Sequence, residues 1–298
     1  MNLEGVFPPM ATPFDGEGAV DPAAIRSNVD RWIRAGVRGV VALGSNGEAP
    51  FLTEDESDDV IAAARDRVPS THVLIAGTGR ESTRGTIDAC RRAAAIGADA
   101  VLVRTPSFFK GRMTHEAFVR HYTAVADACP VPVLLYNFTA VTGVNLPPET
   151  VAELARHPNI VGVKESGTDG AQMAALIDLT PPPPAFTVIA GSAPTFFTSL
   201  GLGARSAILA VAGVVPGLCI SLYEAARAGR HEEARRLQAR LTPLARLVTT
   251  GFGVPGLKAA MELAGFIGGD PRPPLLPAPA AAKEQIRAEL DRIVVART

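Results

Sequence analysis

Apolar and polar positions along the chain fall into two alternating rhythms. Short apolar runs occur at Val6–Met10, Gly39–Leu43, Val73–Ala76, Ala100–Val103, Val133–Tyr136, Ile160–Lys164, Thr187–Ala190 and Ala207–Leu209. Each is short and near-continuous in its apolar content, the pattern of strands buried on both faces. Longer segments between them repeat their apolar residues at helical spacing. Asp21 before Pro22 reads as an N-cap with proline in the first turn, and Ile25, Val29, Trp32 and Ile33 then share one face. Thr53 and Glu56 have the spacing of a capping box ahead of Val60, Ile61 and Ala64. Helices are predicted likewise over Thr83–Ile96, with Gly97 as its stop, and over Thr114–Ala128, Pro148–Arg156, Asp169–Leu179 and Pro194–Leu200.

Regular strand–helix alternation argues for a parallel sheet. Eight units of about 25 residues suit a closed (β/α)8 barrel, a TIM barrel, better than an open doubly wound sheet. From Pro216 onward the pattern is helical only: Leu218–Ala228, Glu232–Val248, Val254–Phe266 and Ala280–Val295. The expected organisation is therefore an α/β barrel over 1–215 and a helical extension over 216–298 packed upon it. Pro181–Pro184 reads as a stiff loop and Pro271–Pro279 as a connector before the last helix.

Composition narrows the function classes. The 298 residues are 47% hydrophobic with a formal net charge of -1, so no strong field favours nucleic acid or a membrane surface. The N-terminus lacks a basic start followed by an apolar run. The most apolar stretch, Ala207–Ile220, is short for a bilayer and contains Pro216. A cytoplasmic protein is expected. Cys90, Cys129 and Cys219 form no CxxC, and the five histidines show no ligand spacing, so no metal is expected. Gly77-Thr78-Gly79 lacks the third glycine of a dinucleotide fingerprint, and no organic cofactor is expected either.

In such a barrel the chemistry gathers at the C-terminal ends of the strands. Lys164 closes the run from Asn159. A lysine there is costly as an ammonium unless it is paired, with Glu48 or Glu165 for instance, or used as a nucleophilic amine. Tyr136 ends the preceding strand, where a phenol could carry protons for an amine–ketone reaction or could simply be an aromatic strand end. The Gly44-Ser45-Asn46-Gly47-Glu48 loop offers backbone N–H groups and a hydroxyl suited to a carboxylate, although it could equally be an ordinary turn.

Taken together, Pro9–Phe14, Gly44–Glu48, Tyr136-Asn137, Gly162-Val163-Lys164-Glu165-Ser166 and Gly191-Ser192-Ala193 resemble the dihydrodipicolinate synthase and N-acetylneuraminate lyase family over nearly the whole chain. Gly44–Thr53, His157–Lys164, Phe252–Lys258 and Gly111-Arg112-Met113 look most similar to its 4-hydroxy-2-oxoglutarate aldolases. The resemblance implies that Lys164 forms a Schiff base with a 2-oxo acid and that Tyr136 shuttles protons. Ser45 and Asn46, with Gly47 in the same loop, would hold the pyruvyl carboxylate. Gly191 and Ile208 would line the pyruvyl site, and Ser166 would meet the distal part of the substrate. It also implies a homotetramer acting on a small 2-oxo acid and an aldehyde.

Two departures shape the expected substrate. Val141 stands where the synthase branch carries an arginine. Thr105-Pro106-Ser107-Phe108-Phe109 lacks the tyrosine that completes the family's proton relay across a subunit interface. Cleavage of a 4-hydroxy-2-oxo acid is the expected reaction. A 2-keto-3-deoxy-sugar-acid aldolase or dehydratase, a synthase-like condensation, and a non-catalytic 2-oxo acid sensor are the alternatives.

Overall fold

The computed structural model describes residues 1–295. Eight parallel strands form one sheet: β1 (Gly5–Phe7), β2 (Gly39–Ala42), β3 (Val73–Gly77), β4 (Ala100–Arg104), β5 (Val133–Asn137), β6 (Ile160–Glu165), β7 (Thr187–Ala190) and β8 (Ser206–Ile208). The order β1-β8-β7-β6-β5-β4-β3-β2 curls the sheet until β1 meets β2. There Val41 N–H donates to Pro8 O and Met10 N–H to Val41 O, closing the barrel.

All eight predicted strands are present, with shifted ends. The first stops at Phe7 rather than Met10, because Pro8 and Pro9 carry no N–H to continue a ladder. The fourth, fifth and sixth each run one residue beyond the predicted end, to Arg104, Asn137 and Glu165.

The helices follow the capping chemistry. In α1 (Pro22–Arg34) the Asp21 carboxylate accepts from the Ala23 and Ala24 N–H groups. In α2 (Glu54–Arg65) both halves of the Thr53–Glu56 capping box form. Then come α3 (Thr83–Ile96), closed by left-handed Gly97, and α4 (His115–Ala128), capped by Thr114. The pattern overlooked a single turn, α5 (Thr139–Thr142). Further round are α6 (Pro148–Leu154), α7 (Gly170–Leu179) and α8 (Phe196–Leu202), the last starting later than predicted because a 3-10 turn occupies Ala193–Thr195.

The next helix, α9 (Pro216–Arg227), packs against α8 and β1. It also packs against the helix that follows it, so it lies between the barrel and the C-terminal helices. Beyond it lie α10 (His231–Arg246), a wider π-type turn at Leu247–Gly251, α11 (Gly253–Leu263) and α12 (Ala280–Val295).

Period-2 alternation divides the apolar residues between two layers. Phe7, Val41, Ile75, Leu102, Leu134, Tyr136, Ile189 and Ile208 cluster inside the barrel. Val6, Val40, Leu74, Val101, Val133, Val163 and Val188 face the helices with Trp32, Phe118 and Phe196. The three cysteines are buried and free. No helix among the described residues is long and apolar enough to cross a membrane.

Candidate active site

The strand ends bring Lys164, Tyr136 and Ser45 together. Tyr136 and Lys164 are register partners on β5 and β6. Their inward direction follows from the alternation that places Leu134 and Tyr136 inside. Lys164 is 5% exposed, and its Nζ lies 4.2 Å from the centre of the Tyr136 ring. The Tyr136 hydroxyl is 2.9 Å from Ser45 Oγ, close enough to share a proton in either direction.

Neither carboxylate considered as a partner for Lys164 is available to it. Glu48 pairs with Lys258, and Glu165 accepts from the Asn137 and Gln172 amides and the Gly167 N–H. Among the described residues no carboxylate forms an ion pair with Lys164.

The Gly44–Glu48 loop is a tight 3-10 turn at Ser45–Gly47, bracketed by two left-handed residues, Leu43 (φ 57°) and Glu48 (φ 56°). Such conformations cost about 1–3 kcal/mol each outside glycine, so the surroundings must hold them. Gly77 helps, because a Cβ there would meet Leu43 O at 2.0 Å. Within the turn the Gly47 N–H donates to Gly44 O and the Glu48 N–H to Ser45 O. Gly47 O accepts from the Thr12 hydroxyl at 2.7 Å. Gly47 is thus committed to the turn itself, and the amides at its open start are those of Ser45 and Asn46.

Gly191 and Ser166 meet beside the lysine. The Gly191 N–H donates to Glu165 O at 2.7 Å, and a Cβ on Gly191 would lie 2.2 Å from Ser166 Oγ. The backbone approaches so closely here that only glycine fits. Ile208 belongs to the inner cluster, one strand beyond β7.

Beside Ser45 and Tyr136 opens a cavity of about 290 Å³, lined also by Val141, Arg80 and Arg104 among others, whereas Lys164, Ser166, Gly191 and Ile208 are not part of its lining. The two arginines escaped the sequence reading. Their signal was present: Arg104 continues the inward alternation of Ala100 and Leu102, but β4 was predicted to end one residue earlier. Glu81 anchors the rim. Burial pushes its carboxyl up, but the N–H groups of Phe108 and Ser107 together with Arg104 outweigh this and hold it at about 2. The following pair, Phe108 and Phe109, stack edge-to-face at 5.0 Å and are 77% and 68% exposed.

Known proteins share this architecture. The dihydrodipicolinate synthetase family profile matches residues 2–293. A 4-hydroxy-tetrahydrodipicolinate synthase of Stenotrophomonas maltophilia is 40% identical over 277 residues, covering 93% of this chain and 92% of the relative. Among solved structures, the dihydrodipicolinate synthase of Thermotoga maritima superposes with TM-score 0.92 at 31% identity, covering 97% of this chain and 98% of that one. YagE, an E. coli prophage protein of the same family solved in complex with pyruvate, superposes with TM-score 0.91 at 31% identity, covering 98% of both chains. The chain belongs to the dihydrodipicolinate synthetase family and is a Schiff-base-forming lyase.

Proposed function

We propose that the protein is a class I aldolase that cleaves a 4-hydroxy-2-oxo acid into pyruvate and an aldehyde, with Lys164 as the imine-forming residue. The observation that carries this reading is the buried, unpaired Lys164 amine beside the Tyr136–Ser45 hydroxyl pair. Lys164 Nζ attacks the C2 ketone, water leaves, and a protonated imine forms. Tyr136, linked to Ser45, takes the proton of the C4 hydroxyl. The C3–C4 bond breaks, its electron pair passes into the enamine, and the aldehyde departs. Protonation at C3 and hydrolysis of the imine release pyruvate and restore Lys164. The open amides of Ser45 and Asn46 hold the pyruvyl carboxylate, Gly191 and Ile208 line the pyruvyl site, and Ser166 meets the distal part of the substrate. In this reading Ser45 takes the relay position for which the Phe108–Phe109 segment has no hydroxyl. A homotetramer belongs to the same proposal, and the exposed Phe108 and Phe109 rings support an interface at that rim.

A second reading has specific support. Relatives from 35% to 40% identical are named 4-hydroxy-tetrahydrodipicolinate synthases, so the same enamine could serve a synthase-like condensation. Val141, which lines the cavity without a charge, favours the aldolase.

Incubation with pyruvate and sodium borohydride, followed by intact mass and peptide mapping, tests the imine. A reduced pyruvyl adduct on Lys164 is expected, and an unmodified protein would sink the reading. A panel of glyoxylate, neutral aldehydes and aspartate semialdehyde then separates aldolase from synthase.

A further inference from the structure

One position further along the strands than Tyr136 and Lys164 lies a second pair that the mechanism does not use. Asn137 and Glu165 are the next register partners and end β5 and β6. Successive side chains of a strand point to opposite faces. With Tyr136 and Lys164 turned into the barrel, Asn137 and Glu165 therefore turn outward. Glu165 is 2% exposed, yet no lysine or arginine among the described residues pairs with it.

A buried carboxylate is costly unless its lone pairs are filled. Three neutral donors fill them here. The Gly167 N–H donates to Oε1, and Oε2 accepts from Asn137 Nδ2 at 2.8 Å and from Gln172 Nε2 at 2.7 Å. Hydrogen bonds to an ionised acceptor are roughly twice as strong as neutral ones, so one carboxylate ties the end of β5, the loop after β6 and α7 together. Asn137 extends the tie. Its Nδ2 also donates to Asn145 Oδ1 at 2.8 Å, and its Oδ1 accepts from the Leu146 N–H at 3.0 Å. Asn145 accepts from the Thr139 hydroxyl and exchanges hydrogen bonds with Gln172. The segment between Thr139 and Leu146 contains Val141 and Thr142, which line the cavity. The network thus holds both the strand end that carries Tyr136 and the loop that follows it.

We propose that Glu165 is a positioning residue for Tyr136: through Asn137 it sets where the phenol stands against Lys164 and against the bond that breaks. The inference rests on the imine reading above. Proton transfer is sensitive to such placement, since a shift of about 1 Å can cost on the order of 10²-fold in rate. The Lys164 amine, on its flexible stem, reaches a ketone from a wider range of strand positions.

The test uses Glu165→Gln, which keeps the size of the side chain but sets an NH2 group against the amide donors of Asn137 and Gln172. The aldehyde is whichever of glyoxylate, acetaldehyde and aspartate semialdehyde the wild type turns over fastest with pyruvate. Glu165→Gln should lower kcat by about tenfold or more, while borohydride still traps pyruvate on Lys164 to the wild-type extent. In a Tyr136→Phe background the same change should lower kcat by less than about threefold, because the group that it positions is gone. A merely structural defect carries through both backgrounds alike, so equal factors overturn the proposal, as does an unchanged kcat. A fall in trapped adduct that accounts for the whole loss of kcat overturns it too, by placing the effect at Lys164. Glu165→Asp, which keeps the charge but falls one methylene short, should show the same split with a smaller factor and carries the test if Glu165→Gln does not fold; equal factors there overturn the proposal. A wild type that traps pyruvate but turns over none of the aldehydes overturns it as well, since no transfer is left to position. A wild type that traps no pyruvate loses the imine reading instead.

Discussion

Lys258 Nζ lies 2.7 Å from Glu48 Oε1, and the two side chains are 1% and 0% exposed. The approach is ionic without the alignment of a good hydrogen bond. Lys258 also donates to Asp270 O and sits over the Phe14 ring, and burial holds it below the usual lysine range. Glu48 accepts from the Arg272 N–H, while the Arg272 side chain grips both oxygens of Glu56. The left-handed end of the Ser45–Glu48 turn is therefore held by α11 and by the connector that precedes α12.

Removing one partner leaves a buried charge alone. Lys258→Met should destabilise the protein by about 3–5 kcal/mol, and adding Glu48→Gln should recover a large part of that loss. Denaturant unfolding of the two single variants and the double variant checks this. Since the pair holds the turn that carries Ser45 and Asn46, the double variant should still bind pyruvate more weakly than the wild type. Equal stability of Lys258→Met and wild type would show that the pair does not hold the turn.

The Ser45–Tyr136 contact predicts coupled losses in the reaction. Tyr136→Phe should lower kcat by about 10²–10⁴, the range for a displaced general acid–base. Ser45→Ala should cost less. The double variant should be no worse than Tyr136→Phe by the full factor of the serine, because the two hydroxyls act as one relay. Strictly multiplicative losses in steady-state kinetics would mean that they act separately.

His121 predicts a stability change with pH. It is 7% exposed, with Nδ1 2.9 Å from Thr83 Oγ1 and Nε2 without a partner. Burial pushes its imidazole from 6.5 to about 4, and Glu81 offsets this only in part. The unfolded chain binds this proton near its ordinary value while the folded chain resists it. The stability is thus fully present above about 6.5 and is lost as pH falls towards about 4. The loss attributable to His121 is on the order of 3 kcal/mol at most. His121→Gln should flatten the acid limb of a melting-temperature profile across that window, and an unaltered limb would exclude this origin.

Much of this molecule could be read from local pattern. Asp21, Thr53 and Thr114 cap helices through groups only two or three residues away, and the strands announce themselves by continuous apolar runs. Lys164 stood out because a cation ending such a run is expensive. The ends of strands were less legible: β4 was read one residue short, which hid Arg104, and Pro8 stopped β1 early. The role of α9 was hidden too, because its sequence shows that it is a helix but not that it packs against β1.

The sequence by itself determined the strand–helix alternation, the caps and the candidate lysine, since each depends on neighbours a few positions apart. Tertiary structure alone decided that Ser45 reaches Tyr136, that Glu48 is claimed by Lys258 rather than Lys164, and that Arg104 lines the same cavity as Tyr136. Those relationships join residues distant in the chain. They arise only once barrel closure sets the register between strands and burial forces each charged group to find a partner.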